Sequence, residues 1–295
     1  MYIGDLYAAG CALVWSFSVI LMRVAGYQIP PIPFTFFKSC VALFCLVITL
    51  TVLGEPLIVD LSRSEYLRLI ISGVVGISIA DAMIAASLNR LGSSLQALAD
   101  CAYTPAITLV GFLMFGEMLN TWEVIGGFLV VSGVFVGAVM KVEVAAKKDL
   151  VIGIFLAASA HAIMGVGILM VRDIYREESV VWVTSFRFLV AVVAMLIYGY
   201  FRWPGNLKNR LLMGFFRVDM WRTIIPMALL GPFLATLLWI TGFKYLEAGR
   251  AAIYNQLSTV FIILLAYFLL GEKLTKRKML GVVLAIAGAS IVAFQ

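Results

Sequence analysis

The sequence predicts an all-α integral membrane protein of ten transmembrane helices, arranged as two inverted five-helix repeats. The first observation is compositional. The 295 residues are 63% hydrophobic and 13% charged, with a mean hydropathy of +1.06, whereas a soluble domain carries roughly a quarter charged residues. The second is a repeat. Gly116, Glu117, Leu119, Gly126 and Gly133 recur as Gly271, Glu272, Leu274, Gly281 and Gly288 at one offset of 155 residues. A membrane chain that repeats itself suggests a transporter whose site lies where the halves meet.

A spanning helix needs about 20 mostly apolar residues. Ten runs meet that length: 4–24, 33–53, 67–89, 94–115, 121–140, 150–171, 180–201, 221–244, 250–270 and 275–294. The first lacks the basic leader of a cleavable signal and is long enough to span. Punctuation separates the runs: Pro30-Pro31-Ile32-Pro33 before the second, Asn120-Thr121 before the fifth, and the charged stretch 172–179 before the seventh. The one sizeable loop, 202–220, holds Pro204-Gly205-Asn206 and several cations but is too short for a domain. Glycines inside the runs, such as Gly73 with Gly76 and Gly126 with Gly127, suit close helix packing in lipid.

The halves divide as 1–145 and 146–295. Thr35-Phe36-Phe37-Lys38 matches Thr184-Ser185-Phe186-Arg187, and Arg23 matches Arg172, at an offset of 149; Arg68 matches Arg222 at 154. Each half has an odd number of spans, so the second lies upside down relative to the first, the geometry of alternating access. One set of loops holds six Lys and Arg residues and the other fourteen. The positive-inside rule puts the richer set in the cytoplasm and both termini outside.

The paired Gly-Glu-x-Leu segments, the small-residue openings (Ser93 to Ala97; Ala248 to Ala252) and the ten runs resemble the drug/metabolite transporter superfamily, and its EamA-type members in particular. Gly242 to Ala248 followed by Gly271-Glu272-Lys273-Leu274-Thr275 is especially similar. The resemblance implies a secondary transporter, often an exporter of amino acids, metabolites or drugs, with a central cavity. The first half departs from the second, with Asn120-Thr121 where Thr275-Lys276 stands and Pro105 where Val260 stands.

Glu117 and Glu272 close their helices beside the start of the next. A carboxylate there accepts hydrogen bonds from backbone amides and gains from the helix dipole, a structural role. Other ionisable groups fall within spans, where a charge costs about 2.5–3.5 kcal/mol at the bilayer centre. Asp81 is too deep to reach water along its own side chain and is expected to face a cavity, as a proton carrier or as the partner of a substrate ammonium. His161, the only histidine, titrates near neutral pH; the opposing reading is a hydrogen-bonded core residue. Asp100 is a candidate to bind substrate or a proton; the opposing reading pairs it with Arg90 or Lys38 in a helix-opening network. Lys38 and Arg187, at equivalent places, either line the cavity or snorkel to the surface as symmetric anchors. Trp15, Tyr103, Trp239 and Tyr254 offer aromatic faces to a cation, and Asn255, the counterpart of Asp100, offers directional hydrogen bonds.

These residues predict a carrier for a small polar or amphipathic metabolite such as an amino acid, proton-coupled or facilitative, in a plasma (bacterial inner) membrane. The expected partners are a small solute and the lipid bilayer, not nucleic acid; the chain is a monomer or homodimer. The rival is a flippase for a phospholipid or lipid-linked sugar, with Lys38 and Arg187 as its cationic site. The sequence has no P-loop, no H-E-x-x-H and no G-x-S-x-G, which argues against an enzyme. Its four cysteines show no C-x-x-C and no histidine at ligand spacing, so neither metal nor cofactor is expected.

Overall fold

The computed structural model describes residues 3–25, 29–138, 147–271 and 274–294, with side chains for all of these except 23–25, 92–99, 101, 137, 138, 147 and 270. Glu272, one of the two expected helix-turn carboxylates, lies outside the described residues.

All the regular secondary structure among the described residues is helical, with no strand. In chain order they form α1 (Ile3–Ala25), α2 (Pro31–Leu53), α3 (Arg63–Gly73), α4 (Ala80–Ala99), α5 (Tyr103–Phe115), α6 (Thr121–Ala138), α7 (Lys147–Leu169) and α8 (Arg172–Glu177). The second half continues with α9 (Val180–Arg202), α10 (Met213–Phe216), α11 (Trp221–Ala228), α12 (Thr236–Tyr245), α13 (Ala248–Asn255), α14 (Leu257–Leu270) and α15 (Lys276–Ala293). Seven helical segments among the described residues are long and apolar enough to cross a membrane. Tyr103–Phe115 and Thr121–Val136 are apolar but shorter, and α15 opens on three cations, Lys276, Arg277 and Lys278. Helical bonding in α4 runs on through the point where the sequence predicts a turn between the third and fourth spans.

Local chemistry sets the helix ends. Pro30 and Pro31 open α2, and Gly54 closes it at φ 66°, a left-handed conformation that glycine reaches without a Cβ penalty. Ser62 caps α3 while Glu65 reaches back to the Ser62 amide at 2.7 Å, a reciprocal box. Asn120 and Glu123 do the same for α6: Asn120 Oδ1 accepts from the Trp122 and Glu123 amides, and Glu123 Oε2 from the Asn120 amide, each at 2.9 Å. Thr275 caps α15 through the Lys278 amide at 3.3 Å.

The repeat is visible in backbone shape. Gly116 and Gly271 end α5 and α14 at φ 69° and 67°. Wide π turns at Val74–Ile79 and Leu229–Ala235 interrupt equivalent helices. Helices α6 and α15 cross antiparallel, with Gly126 against Gly288 and Gly133 against Gly281. A Cβ on Gly126 would lie 2.6 Å from the Gly288 carbonyl, and one on Gly133 2.5 Å from that of Gly281. Only glycine allows this approach, which maximises van der Waals contact where lipid supplies no hydrophobic drive. The outer faces carry Phe44, Val52, Leu113, Phe128, Phe155 and Phe268, all exposed. Such an apolar girdle is a liability in water and ordinary in lipid.

Candidate functional site

A cavity of about 240 Å³ runs from the bundle's centre toward the end where α2 begins, slightly below the roughly 300–1,000 Å³ usual for small-molecule sites. Ile29, Pro31, Asn89 and Met220 form its wall at that end, and Trp15, Asp81, Asp100, His161, Trp239 and Asn255 in the middle. The π turns bring Gly76, Ile77 and Pro232 to the wall. Widened turns of this kind recur at functional sites because they re-aim side chains without ending the helix.

Of the ten expected in-membrane site residues, nine line this cavity: Trp15, Lys38, Asp81, Asp100, Tyr103, His161, Arg187, Trp239 and Asn255. Tyr254 is buried in α13 near Asp5 and Arg250 and is not part of the wall; a helix one residue on turns about 100°, so Asn255 and Tyr254 cannot share a face.

The polar wall residues form a few close pairs. Lys38 Nζ donates to Asp81 Oδ2 at 2.6 Å. The sequence reading offered Lys38 or Arg90 to Asp100. Here Lys38 meets Asp81, Arg90 lies 4.0 Å from Asp149, and Asp100 Oδ1 lies 3.0 Å from His161 Nε2. The His161 ring is 7% exposed and the Asp100 side chain 37%, so the carboxylate is the member that looks into the cavity. Towards an ionised Asp100, Nε2 is the donor. Nδ1 then remains as a proton acceptor, buried with no hydrogen-bond partner among the described residues.

Beside this pair, Tyr103 presents its ring edge to His161 at 5.4 Å and 83°. Its hydroxyl accepts from Trp239 Nε1 at 2.7 Å and from Asn255 Nδ2 at 3.3 Å. The sequence reading missed Gln256, which is buried, lines the cavity and donates to the Asp100 carbonyl at 2.7 Å. That bond ties the short 3-10 turn Asp100–Ala102 to the break between α13 and α14.

The end of the bundle that holds Asp5 is closed by ion pairs. Glu117 pairs with Arg172 through Oε1 and accepts the Ala248 amide through Oε2 at 2.9 Å. The amide it satisfies is the first of α13 in the other half, not one in the helix that follows it in sequence. Arg172 also stacks 4.8 Å over Phe115. Arg250 meets Asp5 at 3.0 and 3.2 Å and lies 3.6 Å from Glu123. Partial burial, then the carboxylates of Glu117 and Glu123, push the nearby Glu247 carboxyl above its usual range. Arg250, Arg172 and Asp5 escaped the sequence reading because their partners stand far away in the chain. Their signal was a charge at the start or end of an apolar run, with the added match of Arg172 to Arg23 in the repeat.

A helical bundle with an apolar outer face, and a largely apolar central cavity into which a few paired charged and polar side chains project, has the build of a multi-pass membrane transport protein. The profile of the EamA-like transporter family matches residues 2–138 and again 151–294. The chain therefore belongs to the EamA-like transporter family, within the drug/metabolite transporters. No curated protein sequence matches it. It is similar to a solved structure described as "Crystal structure of protein", at 15% identity over 99% of this chain and 98% of that one, with a TM-score of 0.80. At that identity the likeness shows the fold.

Proposed function

We propose that this protein is a secondary carrier that exports a small polar or amphipathic metabolite, such as an amino acid, by alternating access between two inverted five-helix repeats, 1–145 and 146–295. Ten spans complete it, with the shorter apolar helices and α15 counted alongside the seven long ones. The observation that carries this reading is the cavity: it holds acid–base groups at mid-membrane, extends toward one end, and is shut off from the other by the Glu117–Arg172 and Asp5–Arg250–Glu123 clusters. By the loop-charge count the end where α2 begins is cytoplasmic and the termini are outside. The conformation is then the loading state of an exporter, and release requires the ion pairs at the Asp5 end to part.

Coupling to protons is assigned to Asp100 with His161, and to Asp81 with Lys38. Each carboxylate sits where a bound proton changes the pairing of its neighbour. The test is transport in proteoliposomes of a panel of amino acids and other metabolites, with and without an imposed pH gradient. Movement of a polar solute that the gradient accelerates is expected. Movement indifferent to the gradient would remove coupling and leave a facilitator. No movement of any solute would overturn the carrier reading.

A further inference from the structure

Lys38 and Arg187 occupy equivalent places in the two halves and both line the cavity, yet their surroundings differ. Lys38 has a carboxylate at 2.6 Å. Arg187 has none within ion-pair distance among the described residues. The residue is 1% exposed, and its side chain is among the largest fully buried ones of the described residues. Nε donates to Ser72 Oγ at 2.8 Å, and Nη1 is buried with no partner among the described residues. The ionisable groups within electrostatic reach are Tyr175 and Asp81, and Asp81 is held by Lys38.

A buried guanidinium without a counter-ion is costly in any low-dielectric interior, and more so in a membrane. A merely structural arginine in such a place is expected to have recruited a carboxylate, as Lys38 has. The backbone instead makes way for the guanidinium itself. Gly76, in the π turn, faces Nη2, and a Cβ there would lie 3.2 Å from it. The built features are therefore an Nε fixed by Ser72, a buried Nη1 that no described group of the protein satisfies, and a glycine that admits the guanidinium to the cavity wall.

We propose that Arg187 is the anchor for a carboxylate, and that the carried solute is an organic acid or zwitterion that places its carboxylate there. Guanidinium and carboxylate match in a two-point geometry that an ammonium cannot offer. The cavity-facing carboxylate of Asp100 supplies an opposite pole for an ammonium, and Trp15, Met164 and Trp239 supply an apolar wall for the side chain. As a statement about substrate this rests on the carrier reading above.

Five probes with one isobutyl tail separate the possibilities: L-leucine, 4-methylpentanoate, leucinamide, isopentylamine and isopentyl phosphate. Binding to the purified full-length protein is read from tryptophan fluorescence, since Trp15 and Trp239 line the cavity. Leucine and 4-methylpentanoate are expected to bind saturably, and leucinamide and isopentylamine roughly ten- to hundredfold more weakly, the range of a lost charge-assisted hydrogen bond. Arg187→Gln is expected to weaken both carboxylates by a similar factor and leave isopentylamine unchanged. Ser72→Ala keeps the charge but frees Nε. It is expected to weaken the carboxylates less, and supplies a readout if the glutamine variant does not fold.

Equal affinity for leucine and leucinamide, preference for isopentyl phosphate, or no saturable binding of either carboxylate would each overturn the anchor. The carrier reading fails separately. Arg187-dependent carboxylate binding without flux in proteoliposomes keeps the anchor and sinks the carrier. Flux confined to solutes without a carboxylate does the reverse.

Discussion

The two halves line the cavity with helices of the same kind and side chains of different charge. At the 155-residue offset Asp81 corresponds to Thr236, Asp100 to Asn255 and Tyr103 to Ser258, and all six are in the wall. At the 149-residue offset Lys38 corresponds to Arg187 and Trp15 to Met164, again all in the wall. The wide turns at Val74–Ile79 and Leu229–Ala235 are duplicated as shape, and Gly76 recurs as Gly231, but Gly76 faces the Arg187 guanidinium while Gly231 faces the Ser18 hydroxyl and the Trp15 ring, and Ile77 is replaced by Pro232. Backbone geometry has been kept in both copies and chemistry has not. Both wall carboxylates come from the first half, and the second supplies their neutral counterparts together with His161 and Arg187. Such asymmetry suits the proposed solute with two unlike ends.

Glu117 is where breaking the scaffold is expected to cost most. Glu117→Ala leaves the Arg172 guanidinium and the Ala248 amide without this acceptor, and removing one member of a buried pair typically costs about 3–5 kcal/mol. Melting of the detergent-purified protein reads the loss. Glu117→Gln retains an acceptor for the amide and is expected to lose less.

Next comes the pair that has no equal in the second half. Asp81→Asn is expected to abolish gradient-driven transport, and also to destabilise by up to about 3 kcal/mol by stranding Lys38. Lys38→Met combined with Asp81→Asn is expected to recover most of the stability and none of the coupling. A double variant that still responds to a pH gradient would show that this pair carries no proton.

The α6–α15 crossing sharpens the comparison, because there the halves should respond alike. Gly126→Ala and Gly288→Ala each place a methyl group against the opposite backbone, at a cost of about 1–3 kcal/mol of overpacking. Equal losses are expected. A much smaller loss at Gly288 would mean that the halves do not share the contact evenly. The smallest effect is at the caps. Asn120→Ala and Thr275→Ala are each expected to cost about 1 kcal/mol, with Asn120 the larger because it receives two amides and anchors Glu123 beside Arg250.

Much of this was legible in the sequence. Residues that lipid forces to be apolar announce their spans, and the Gly-Glu repeat announced equivalent turns at Gly116 and Gly271. A charge too deep to reach water announces a cavity, which is how Asp81 was singled out; Asp100, His161, Lys38 and Arg187 were candidates that each carried a structural alternative, and all of them line the cavity. Tyr254 was not separable from Asn255, since adjacent residues differ only in helix face. Gln256 was passed over because its counterpart in the first half is Cys101, whereas the neighbouring amide Asn255 was flagged by its match to Asp100. The third and fourth spans were expected to part near residue 90, and the chain does turn back there, since Leu91 lies against Gly153 while Asp100 meets His161 about two turns further along α7. Helical bonding nonetheless continues through Ala99, which hydropathy does not reveal.

The sequence by itself determined the class of the protein, its repeat and the residues that could not face lipid, because the bilayer penalises each misplaced charge locally, residue by residue. Only the tertiary structure decided the partners: Lys38 with Asp81, His161 with Asp100, Glu117 with Arg172 and the Ala248 amide, and Arg187 with Ser72 alone among these groups. Pairing depends on which helix faces meet across the bundle, and that is settled by the packing of all the helices together rather than by any one segment.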